Sequence, residues 1–141
     1  MTYQLDIIDP LLYDPLPAEI KKSVVRRQTY WLTDEAASVY RRAAAVVSFE
    51  CHSPIIAATV DTPCIYVHQP EDGIKGQMWK DIGLSRWYLE VEEAAGEQIA
   101  ERLMDIHEHY AAAQVDVHEA VLYARKLHTD AVWFVRNLFL A

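Results

Sequence analysis

Apolar residues come along this chain in short blocks whose period changes, and each change marks an element. Residues 45–49 form a compact apolar run rich in β-branched side chains, which predicts a strand buried on both faces of a parallel sheet. Ser53-Pro54 follows, a capping hydroxyl before a proline at the first helical position, and residues 55–60 continue as a helix that stops at Asp61-Thr62. Residues 63–68 give the next strand, with Pro63 at its start, where no ladder hydrogen bond is required. This is a β-α-β unit.

Either side of it the pattern is weaker but readable. Residues 5–8 suggest a short strand, and Asp9-Pro10, Asp14-Pro15 and Pro17 then punctuate a loop-like lead-in over residues 1–32. Thr33-Asp34-Glu35 opens a helix to about residue 44, with acids favourable in its first turn and Trp31 and Leu32 placed to staple its start. The turn chemistry of residues 69–73 leads into a helix over 75–82 closed by Gly83, and residues 87–91 form a third strand. Two long helices, about 93–112 and 117–140, finish the chain. On the second, Val117, Val121, Ala124, Leu127, Ala131, Val135 and Leu138 trace one stripe, read most simply as core-facing and otherwise as a surface for a partner. Strands alternating with helices predict one α/β domain around a parallel sheet.

Composition narrows the setting. A chain of 141 residues has room for one self-sufficient core, and no apolar run approaches the roughly 20 residues of a membrane span. The first six residues lack the basic and apolar segments of a secretory signal, and two cysteines, Cys51 and Cys64, are too few for a disulfide framework. A cytoplasmic protein with free thiols is the expectation. The net charge of −8 speaks against a nucleic-acid partner, since phosphate binding rests on clustered Lys and Arg. The acids from Glu90 to Glu108 read as a solvated helix face, and His107-Glu108-His109 lacks the spacing of a zinc helix, so no metal is expected.

The candidate chemistry lies at the carboxyl ends of the strands, where loops and helix N-termini converge in an open parallel sheet. The loop Glu50-Cys51-His52-Ser53 follows the first strand of the unit, and the loop carrying Lys75 follows the second. His52 can move a proton near neutral pH, or be a structural histidine that ties the turn together; Lys75 offers a charge for an acidic group, or is an ordinary solvated lysine. A carboxylate or phosphate would suit the free amides of the helix after Ser53. Cys51 reads as a small buried thiol rather than a nucleophile, and His68, ending its strand near the same edge, could support the site.

The run from Val46 to Ala57, continued by Thr62-Pro63-Cys64-Ile65-Tyr66 and Lys75-Gly76-Gln77, resembles the C-terminal lobe of polysaccharide pyruvyl transferases, and the similarity spans about residues 30–91. The resemblance implies a three-layer Rossmann-like lobe, one half of a two-lobed GT-B-like fold. It implies transfer of a pyruvyl group from phosphoenolpyruvate, a substrate rather than a cofactor, to a sugar hydroxyl of a glycan. By that resemblance His52 is the catalytic acid or base, with Glu50, Ser53, Lys75 and Gln77 binding substrate. Glu50 stands where the family has an arginine, and Asp61 where it has the glycine of a glycine-x-proline turn. An N-terminal lobe would complete the cleft as partner, and apolar surface left without it would favour self-association. The alternative is a non-catalytic lobe that binds a glycan, a nucleotide-sugar or a protein.

Overall fold

The computed structural model describes residues 7–140. The chain divides into two compact units, residues 1–32 and 33–141. In the first, Ile7 and Ile8 are helical and run into a π-helical turn at Asp9–Tyr13, and a short helix follows at Ala18–Lys21. A strand over 5–8 is therefore not formed at Ile7 and Ile8, while Leu5 and Asp6 lie outside the described residues. Arg26 holds the unit together, reaching Asp9 at 2.7 Å and stacking over the Tyr13 ring at 3.9 Å.

The second unit is a mixed α/β domain on a small three-stranded parallel sheet, β1 (Val46–Ser48), β2 (Cys64–His68) and β3 (Tyr88–Glu90), in spatial order β1-β2-β3. Val46 pairs with Cys64 and Tyr66 with Tyr88, both in parallel register. Its helices are α1 (Thr33–Tyr40), α2 (His52–Thr59), α3 (Gln77–Asp81), α4 (Gly96–Glu108) and α5 (Tyr110–Leu140). The 75–82 helix is shorter than its pattern suggests, because a 3-10 segment at Pro70–Gly76, broken by Gly73 at φ 55°, takes the first part. Gly83 ends α3 at φ 88°, a left-handed conformation that suits glycine.

β2 lies between its neighbours and is buried from end to end. Ile65, Tyr66 and Val67 form the centre of a core with Trp79, Leu84, Trp87, Ile106 and Val117. The expectation that residues 45–49 are buried on both faces does not hold. β1 is an edge strand, and Val47 remains exposed while Val46 is covered. The last stripe also departs from its core-facing reading. Val117 is buried and Val121 and Ala124 are half-buried, but Leu127, Ala131, Val135 and Leu138 are exposed. The two final helices break at His109 (φ −118°), so residues 110–112 belong to the second.

Candidate functional site

The parallel order brings the loop after β1 and the loop after β2 to the same sheet edge. A hydrogen bond of 2.9 Å from Gln69 Nε2 to the Phe49 carbonyl ties one loop to the other. In the first loop the sequence turns sharply at Glu50, whose amide bonds the Ser48 hydroxyl at 3.0 Å. α2 then begins at His52, two residues before the Ser-Pro signature predicts.

Glu50, not Ser53, satisfies the start of α2. Its Oε2 accepts the amides of His52 at 2.9 Å and Ser53 at 3.1 Å, while its Oε1 accepts from His52 Nδ1. A carboxylate at a helix N-terminus is favoured by the dipole, and its two oxygens accept more donors than a single hydroxyl can. The Ser53 hydroxyl instead accepts from Tyr40 of α1 at 3.1 Å. Partial burial alone would push the Glu50 carboxyl up, but the two amides and the His52 ring outweigh it and hold the group below its ordinary value.

His52 is well exposed, and its Nε2 makes no hydrogen bond among the described residues. Cys51 is buried; its Sγ lies 3.7 Å from Glu50 Oε1 and 3.8 Å from His52 Nδ1. Burial, then the Glu50 charge, push this thiol up, and Lys75 pulls in the opposite direction. It is not an activated nucleophile. The ligand atoms of Glu50, Cys51 and His52 lie within 4.8 Å of one another. They suit a cation poorly, because Glu50 Oε2 is taken by two amides and the positive end of α2 faces the same point.

Lys75, on the 3-10 segment after β2, is exposed and near enough for Cys51 to feel its charge, and it forms no ion pair among the described residues. Gln77 opens α3 and turns its amide onto Asp81 at 2.8 Å, along its own helix. Thus Glu50, Cys51, His52 and Ser53 are gathered, Lys75 lies on the adjoining loop, and Gln77 is engaged locally.

A second polar cluster occupies the ends of β2 and β3, and sequence reasoning caught only His68 of it. The sheet register sets His68 opposite Glu90. His68 Nδ1 lies 2.6 Å from Glu90 Oε2 and its Nε2 3.1 Å from the Gly73 carbonyl oxygen, and the Tyr88 hydroxyl donates to Glu90 Oε1 at 2.6 Å. The Tyr88 hydroxyl first, and the His68 ring after it, hold Glu90 below its ordinary value. Lys80 caps the cluster, 4.0 Å over the Tyr88 ring, beside a polar cavity of about 350 Å³ that Arg102 also lines. The strand-end rule that picked out His52 applies equally to Glu90, the last residue of β3, and would have found it. Compared with protein families, curated proteins and solved structures, the chain matches none.

Proposed function

We propose that this chain is the C-terminal, Rossmann-like lobe of a pyruvyl-transferase-like enzyme with a GT-B-like pair of lobes, moving a pyruvyl group from phosphoenolpyruvate to a glycan hydroxyl. One observation carries the reading. An exposed imidazole at the carboxyl edge of a parallel sheet is held through Nδ1 by a carboxylate, with Nε2 left open. A histidine so oriented can give and take a proton at Nε2 while the carboxylate fixes ring and tautomer.

The reaction needs a proton on the donor's methylene carbon, attack of a sugar hydroxyl on the adjoining carbon, and departure of phosphate as a second hydroxyl closes the ketal. His52 is assigned the proton transfers, Glu50 positions it, and Lys75 offsets the donor's negative charge. In this reading Glu50 is no substitute for the family's arginine as an anion clamp. It serves the histidine instead.

The non-catalytic alternative has its own supporting observation, since Glu50 already fills the amides that would otherwise greet an anion. The two readings separate in the assembled two-lobed enzyme, by phosphate release from phosphoenolpyruvate with a glycan acceptor. His52→Ala should lower kcat by about 10²–10⁴-fold with an unchanged circular dichroism spectrum. Lys75→Ala should chiefly raise KM for the donor. Full turnover in His52→Ala would remove the catalytic assignment. Glycan binding without any phosphate release from the unaltered enzyme would favour the binding lobe.

A further inference from the structure

α5 spans 31 residues, about 46 Å at 1.5 Å per residue, and only its first part is covered. Ala113, Val117 and Ala120 are buried, whereas every residue from Arg125 to Leu140 is exposed. That exposed end is not polar. Trp133, Phe134, Leu138, Phe139 and Leu140 are 63–84% exposed, and a helix apolar around most of its circumference is one that is buried in its working state. The covered seam does not stop where its cover stops. From Ala120 it runs on through Ala124, Leu127, Ala131, Phe134 and Leu138 in alternating steps of four and three, the spacing of a helix-pairing seam.

Beside the middle of the same helix lies an apolar cavity of about 610 Å³ between α2, α3 and α5, lined by Ile55, Ala58, Met78 and Trp79 together with Val121 and Ala124 of α5. The chain thus carries an apolar tip without a groove and an apolar groove without an occupant. The tip cannot fill the groove of its own molecule, because both belong to one unbroken helix and the tip runs along the axis away from the residues that line the groove.

We propose that two copies of this chain pair through α5, antiparallel about a two-fold axis near Ala131, so that the tip of each covers the groove of the other. Such an axis sets Leu138 of one copy against Ala124 of the other, and Val135 against Leu127. Ala131 at the crossing leaves the helices room to approach. The exposed aromatics, each with about 150–250 Å² of surface, put several hundred Å² on the tip. Each copy contributes a tip and a groove, which brings the contact to the scale of the about 800 Å² per partner that a standard interface buries. Met78 in the groove is the adaptable side chain such a contact favours.

Sedimentation equilibrium of the unaltered protein across micromolar concentrations should give twice the chain mass. Leu138→Glu, at an exposed tip position, should fold unchanged by circular dichroism and weaken the dimer by more than about a hundredfold, because two unpaired charges would enter the contact. Ala124→Glu should do the same from the groove side. Ala131→Cys should form a disulfide between copies under mild oxidation, while Val115→Cys should not; Cys51 and Cys64 are buried and do not compete. A monomer at every concentration, a dimer that Leu138→Glu leaves intact, or a monomer whose tip binds phospholipid vesicles would each overturn the proposal, the last by assigning the tip to a membrane surface.

Discussion

Glu50 uses its two oxygens for different tasks, one closing the N-terminus of α2 and the other holding the His52 ring. The Ser-Pro signature misleads at this point. It is sound local chemistry, but the hydroxyl of Ser53 is claimed by Tyr40, thirteen positions back, a contact that no local pattern carries. Asp61 shows the opposite case. It stands where the resemblance calls for glycine, and it adopts the left-handed conformation that glycine would, at φ 57°. A short polar side chain tolerates that backbone, and its carboxylate also reaches His118 at 3.1 Å. Asp61→Val, with a β-branched side chain forced to positive φ, should cost about 1–2 kcal/mol in urea unfolding. Equal stability of the two proteins would mean that the turn relaxes out of this conformation.

The sheet was the most legible element and the helical limits the least. Val46-Val47 and Ile65-Tyr66-Val67 announce strands because β-branched and aromatic residues suit a pleated surface, and their parallel order follows from the α2 crossover between them. That β1 would be an edge was not legible, since burial depends on how many strands lie outside it. The Pro70–Gly76 segment hid its kink because glycine alone does not say which way it turns. Gly76 has a clearer purpose. A Cβ there would come within 2.4 Å of the His68 ring, which cannot retreat while Glu90 and Gly73 hold both of its nitrogens and Tyr88 stacks against it. Gly76→Ala should therefore destabilise the domain by about 1–3 kcal/mol, the usual cost of overpacking. Chemical unfolding measures it, and a change below about 0.5 kcal/mol would show that the 3-10 segment yields instead. The strand-end cluster around His52 was legible from topology, and the same rule reaches Glu90, but the pairing of Glu90 with His68 rests on the register between β2 and β3.

At the scale of the whole molecule, these same groups fix how stability depends on pH. Glu50 and Glu90 titrate below their ordinary value in the folded protein, so the unfolded chain binds more protons in acid. Their contribution is present above the usual carboxylate range, about 4.3, and is lost as pH falls through the folded values. The alkaline side has the opposite origin. Burial pushes the Cys64 thiol up, and burial with the neighbouring carboxylates of Asp72 and Glu90 pushes the Tyr66 and Tyr88 hydroxyls up. These groups stay neutral in the fold after the unfolded chain has begun to ionise, near pH 8.5 for thiols and 10 for phenols, so stability falls as pH rises past those values. Each such group steepens the decline by up to about 1.4 kcal/mol per pH unit. Urea unfolding at a series of pH values should show a plateau between about pH 6 and 8 with losses on both sides. Glu50→Gln should flatten the acid limb. Cys64→Ala, whatever it costs in packing, should flatten the alkaline limb, and an unchanged alkaline slope in that variant would mean the thiol ionises as readily in the folded core as in the unfolded chain.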